Sequence, residues 1–142
     1  MSSKYKAMVL SCIDPRFQHL VHNYLKKKKL KGKYSAFTIA GGAVGVTHNK
    51  FKQWHKTFYD NLEISIQLHK IEKLIVINHK DCGAVKIANK KKEFNTFNEI
   101  EIHLDSFTKM KKIIKKKFPK LKIEFYLMSL GEKVKQFNKI TI

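Results

Sequence analysis

Two cysteines and one histidine carry the chemistry for which this sequence is best equipped. Cys12 lies in "VLSCIDPRF" (Val9–Phe17), and His79 and Cys82 lie in "NHKDCGA" (Asn78–Ala84). Together they offer a metal two thiolates and one imidazole, a donor set that favours Zn2+. The His-x-x-Cys spacing lets one loop supply two ligands before Gly83 opens a helix, whose N-terminal N–H groups would favour thiolate and anion. With only two cysteines in the chain, a closed structural site built on three or four thiolates is excluded. A closed Cys2His2 site would need His19, His22, His48 or His55, none of which stands at a telling spacing. Three ligands and an open fourth position is the pattern of a catalytic zinc.

The first segment also holds the only arginine. Lys and Arg total 30, and every basic residue except Arg16 is lysine. A chain that uses lysine wherever a bare charge suffices implies a separate task for one guanidinium. Holding a carboxylate with two parallel hydrogen bonds is such a task, and Asp14 stands two residues away.

Bringing these residues together takes an α/β chain. Lys6–Ser11 reads as a short buried strand, and Phe17–Leu30 as a helix with Leu20, Val21, Tyr24 and Leu25 at helical spacing, ended by Gly32. Ser35–Ala40 ("SAFTIA") predicts a second strand, closed by Gly41-Gly42. Phe58–His69 predicts a helix striped by Tyr59, Leu62, Ile66 and His69 and widened by Ile64 and Leu68. Leu74–Asn78 ("LIVIN") has the unbroken apolar character of a strand covered on both faces. A short helix follows in "CGAVKIANKKK". A longer one spans Ile100–Phe118, with Leu104, Phe107, Met110, Ile113 and Ile114 as its stripe and Pro119 as its stop. "KIEFYLMSL" and "KVKQFNKITI" flank Gly131-Glu132 as a closing hairpin. This alternation predicts a three-layer α/β sandwich around a mainly parallel sheet of order 2-1-3-4, with a final antiparallel edge strand. Strands 1 and 3 are then neighbours with helices on opposite faces. That is the switch point beyond whose carboxyl ends open α/β sheets bind ligands, and both motif loops leave from it.

A chain of 142 residues predicts one domain, residues 1–142, and its 43% hydrophobic content with ten Phe and five Tyr is enough for a core. No apolar run approaches the ~20 residues of a membrane span. "AMVLSC" faintly resembles a lipoprotein cleavage box, but Ala7–Leu10 is far shorter than the ~7–15 residues of an export signal's apolar core. Two distant cysteines without an export signal point to a reducing cytoplasm and a metal rather than to a disulfide framework. The formal net charge of +19 predicts weak, nonspecific polyanion binding at low salt. Specific nucleic-acid readers lean on Arg and exposed aromatics, so a bias towards lysine is the simpler source of the charge.

The set Cys12-x-Asp14-x-Arg16 with His79-x-x-Cys82-Gly83, separated by the glycine-containing turn "IAGGAVG", resembles the β-class carbonic anhydrases. The pattern of elements agrees from the first strand to the closing hairpin, nearly the whole chain. The resemblance implies that Cys12, His79 and Cys82 are the ligands of one Zn2+ per chain. It implies that Asp14 and Arg16 form the catalytic pair beside the metal, and that Gly42 and Gly83 line the substrate position. The implied activity is reversible hydration of CO2 to bicarbonate by zinc-bound hydroxide, in a cytoplasmic homodimer or dimer of dimers whose pocket is partly lined by the partner chain. It also accounts for the lone arginine: in the family the fork holds the Asp carboxylate off the metal and leaves the fourth position to water, a geometry lysine lacks. Two thiolates cancel the metal's formal charge, so hydration is expected to improve at alkaline pH.

Some positions depart from the family pattern. Pro15 stands where Ser is common; it brings neither hydroxyl nor N–H and biases Asp14 towards an extended backbone. The run Thr38-Ile39-Ala40-Gly41-Gly42 keeps a glycine but lacks the usual polar partners. The helical arm that many members carry before the first strand is expected to be missing, as is the glutamine that some use to bind bicarbonate. These departures bear on activity rather than fold. They leave open a zinc hydrolase of another small heterocumulene (carbonyl sulfide or carbon disulfide), a non-catalytic zinc-binding member, and a polyanion-binding protein with structural zinc.

Overall fold

The computed structural model describes residues 4–89, 96–130 and 137–142. Strands β1 (Ala7–Ser11), β2 (Tyr34–Thr38), β3 (Lys73–His79), β4 (Lys122–Met128) and β5 (Phe137–Ile140) form one sheet in the order β2-β1-β3-β4-β5. The first four are parallel, and β5 runs antiparallel to β4 at the edge. This is the expected topology. The hairpin turn placed at Gly131-Glu132 lies outside the described residues.

Alternation along the strands sorts the helices into layers, because successive side chains point to opposite faces. Met8 and Leu10 of β1, Leu74 and Val76 of β3 and Phe125 of β4 face α2 (Lys52–His69) and α4 (Thr96–Lys117). Ala7, Val9, Ile75, Ile77, Tyr126 and Met128 face α1 (Gln18–Lys27) through Val21 and Leu25. A short helix, α3 (Gly83–Asn89), sits over the carboxyl ends and packs Val85 and Ala88 beside Cys12 and Cys82. Phe58, Leu62, Phe107, Met110 and Ile114 are fully buried, each contributing about 1.5–3 kcal/mol by leaving water.

Helix limits and one helix face differ from the sequence reading. α1 ends at Lys27 rather than Leu30, because Lys29 takes a left-handed conformation (φ 62°) and the Leu30 N–H turns back to the Leu25 carbonyl. α2 starts well before Phe58, because His48 Nδ1 accepts the Lys50 N–H and opens a 3-10 turn, Asn49–Phe51, that runs into the helix. Ile64 and Leu68 do not widen its buried stripe: they are 50% and 71% exposed. α2 lies beside the edge strand β2, where Ser35 Oγ meets Ser65 Oγ at 3.4 Å, so only one flank of the helix reaches the sheet. No helix among the described residues is long and apolar enough to cross a membrane.

Candidate metal centre

The sheet register builds the cluster. Ser11, the last residue of β1, pairs with Ile77 of β3, so Cys12 emerges beside the end of β3 where His79 lies. Cys82 returns to the same point after a turn at Asp81, which is left-handed with φ 58°. The Cys12 and Cys82 sulfurs are 3.9 Å apart, and the ligand atoms of Cys12, His79 and Cys82 all lie within 4.8 Å of one another. A tetrahedral zinc with Zn–S of about 2.3 Å would hold two sulfurs about 3.8 Å apart, so the spacing fits that ion.

His79 is prepared to ligate through one nitrogen. Its Nδ1–H donates to the Lys80 carbonyl at 2.7 Å, and its ring stacks on Phe17 with centroids 4.1 Å apart. Nε2 is left as a buried lone pair with no hydrogen-bond partner. A buried polar atom without a partner costs free energy unless a ligand takes it, and tying the other ring nitrogen is how metal-binding imidazoles are oriented. The sulfurs behave as a pair. A hydrogen bond from Cys82 draws the Cys12 thiol well below the ordinary range against the cost of burial, with help from the Gly41 N–H. Cys82 is pushed up by the neighbouring Cys12 and by burial.

Arg16 joins the two loops. Its Nε and one terminal nitrogen grip Asp14 at 3.1 and 2.8 Å, the bidentate fork expected. The other terminal nitrogen reaches the Asp81 carboxylate at 3.1 Å, and the Asp81 carbonyl accepts a further bond at 3.0 Å. Lys86 completes the group on Asp81 at 2.9 Å. The guanidinium holds the Asp14 carboxyl far down, to about 2, and Asp14 Oδ2 lies 3.7 Å from His79 Nε2. Pro15 fits this geometry. Asp14 Oδ1 accepts the Arg16 backbone N–H at 2.9 Å across it, a side-chain turn that a fixed proline φ favours.

The two candidate glycines differ in surroundings. Gly42 (φ 55°) is buried, and a Cβ there would come within 2.8 Å of Asn78 Oδ1, so the residue lets the turn after β2 pass close to β3. A Cβ on exposed Gly83 would meet nothing within 4 Å, leaving open space at the start of α3.

Behind the cluster lies a buried polar chain that sequence reasoning missed. Glu99 Oε2 accepts the Cys82 N–H at 3.1 Å and lies 3.4 Å from His103 Nε2. His103 Nδ1 meets Asn78 Nδ2 at 2.9 Å, and Asn78 Oδ1 accepts the Ala43 N–H at 2.9 Å. Ser106 also takes a bond from Asn78 Nδ2. A signal was present: Glu99 and His103 continue, in steps of four, the α4 line that runs on through Phe107 and Met110.

Comparison with known proteins agrees with this plan. A family model described as "Putative carbonic anhydrase" matches residues 2–134. An uncharacterized protein of Rickettsia conorii, RC0076, is 31% identical over 134 residues, covering 94% of this chain and 72% of that protein. A carbonic anhydrase from Glaciozyma antarctica superposes with a TM-score of 0.60 at 17% identity, covering 99% of this chain and 85% of that one. A structure titled as a tetrameric β-carbonic anhydrase from Sordaria macrospora superposes with a TM-score of 0.58 at 10% identity over 90% of this chain and 77% of its own. The low identities make these two a likeness of fold. The family model runs through nearly the whole sequence, and the chain belongs to the carbonic anhydrase family that it describes.

Proposed function

We propose that the chain is a zinc-dependent carbonic anhydrase that hydrates CO2 reversibly to bicarbonate, with Cys12, His79 and Cys82 as ligands and Asp14 and Arg16 as the catalytic pair. The observation that carries this reading is the bare, buried His79 Nε2 facing two sulfurs 3.9 Å apart, with the Asp14–Arg16 fork beside them. Bound zinc would supply the Lewis acidity that makes water a nucleophile near neutral pH. Asp14, kept ionised by Arg16, would be the hydrogen-bond acceptor that orients such a water by its proton. Arg16 holds both Asp14 oxygens, which would restrain the carboxylate from moving onto a bound metal. Gly83, with open space around its Cα, leaves room for a small linear substrate.

A homodimer belongs to the same reading. From Tyr34 to Asn49 the sequence has no Lys, Arg, Asp or Glu, in a chain of net charge +19. That stretch contains the edge strand β2, and unprotected edges invite pairing with a second copy.

The test is stopped-flow CO2 hydration at pH 7 and 8.5, with zinc measured on the same sample. One zinc per chain with rapid hydration, faster at pH 8.5, is expected. Full zinc without hydration at either pH would overturn CO2 as substrate while leaving the metal centre standing.

A further inference from the structure

Glu99 stands on the buried line of α4, which runs on through His103 to the apolar Phe107 and Met110. It is 5% exposed, and its partner His103 is fully buried. An acid in the first turn of a helix is ordinarily explained by the helix dipole. That explains a solvated glutamate, not one turned inward onto a metal loop.

The donors around it define its task. The Cys82 N–H bonds to the Glu99 carboxylate at 3.1 Å, the Asp81 N–H favours its charged form, and His103 Nε2 lies 3.4 Å away. The polarity of the chain is fixed from its far end. Ala43 donates to Asn78 Oδ1, so Asn78 must present its NH2 to His103 Nδ1, and His103 must present Nε2–H to Glu99. Both ends of the chain are therefore backbone N–H donors, and one member has to accept from both sides. A carboxylate does this with all its lone pairs. A glutamine offers one oxygen and turns an NH2 towards donors.

We propose that Glu99 is a positioning residue for the metal centre, fixing the Asp81–Cys82 turn from the buried side while Arg16 fixes it from the solvent side. Cys82 then stands in its ligand position before a metal arrives. Asn78 extends the same hold to the Gly41–Ala43 turn, whose Gly41 N–H bonds Cys12 Sγ at 3.3 Å. One buried chain thus sets both sulfurs. The inference rests on the metal reading of Cys12, His79 and Cys82.

Zinc affinity, measured by competition with a chromophoric chelator, tests it in wild type, Glu99→Gln and Ile114→Val. The last thins the core further along α4 without touching the polar chain. Glu99→Gln should weaken zinc binding about 10–100-fold, the usual effect of losing a group that orients a ligand. It should also shift the visible absorption of the cobalt-loaded protein, whereas Ile114→Val should change neither. Wild-type affinity in Glu99→Gln, or an equal loss in Ile114→Val, overturns the proposal. A wild-type chain that binds no zinc overturns the metal reading, and this inference with it. Should Glu99→Gln not fold, amide exchange in metal-free wild type decides: slow exchange at Cys82 supports a turn set in advance, and fast exchange overturns it.

Discussion

Arg16 works as a bracket between the loop after β1 and the loop after β3, and a single residue type makes that possible. Four bonds leave its guanidinium, two to Asp14 and two to Asp81. Lysine could keep the charge but not the four directions. Arg16→Lys should therefore fold normally and lose hydration at least about tenfold, the equivalent of one charge-assisted bond of about 1.5 kcal/mol. A fully active variant, by stopped-flow assay on zinc-matched samples, would remove the fork from the mechanism. Cys82→Ser should leave the protein largely without zinc by elemental analysis, and unchanged stoichiometry would cancel that ligand assignment. The cysteines, His79, Asp14 and Arg16 were legible in the sequence because their chemistry is rare against a lysine background. Asp81 was not, since its role depends on a left-handed backbone and on Arg16 arriving from another strand.

At the scale of elements, strand identity and helix type followed from apolar periodicity, whereas widths and ends followed from neighbours. α4 read as starting at Ile100, and that boundary hid Glu99 from view and left His103 without a partner. α2 read as a broad stripe because apolar residues stand on two flanks, although only one flank meets the sheet. Phe107→Ala should cost about 3–5 kcal/mol in denaturant unfolding, while Leu68→Ser should stay within about 0.5 kcal/mol. Equal costs would contradict the narrow stripe. Between β3 and β4, Glu124 pairs with Lys73 at 3.0 Å and accepts from the Tyr126 hydroxyl at 2.8 Å. Burial alone would raise its carboxyl, but these two partners outweigh it and hold it below the ordinary value of 4.5. The stabilisation is thus present above that value and lost as pH falls through the lower folded one. Lys73→Met should move acid unfolding to higher pH, and an unmoved midpoint would show the pair to be idle.

The whole molecule sets a strong uniform charge against one neutral edge. The order of the sheet was legible because right-handed crossovers and covered strands leave few arrangements. The meaning of the uncharged run was not, because only the fold reveals that its strand lies at the border of the sheet. If two copies meet there, like charge opposes them, and salt should strengthen the dimer rather than weaken it. By light scattering the parent chain should then be a dimer, and Ala36→Lys, at an exposed position of β2, a monomer. A dimer unaffected by the substitution would place the interface elsewhere.

The closeness of the two sulfurs has a chemical cost besides its use. Thiols 3.9 Å apart need little movement to reach the roughly 2.05 Å of a covalent S–S bond. Peroxide could convert the pair to a disulfide with release of water, whereas a bound cation occupies the electrons that such oxidation needs. Metal uptake and oxidative damage would therefore compete for the same lone pairs. The ion that equips the site for catalysis would also be its antioxidant.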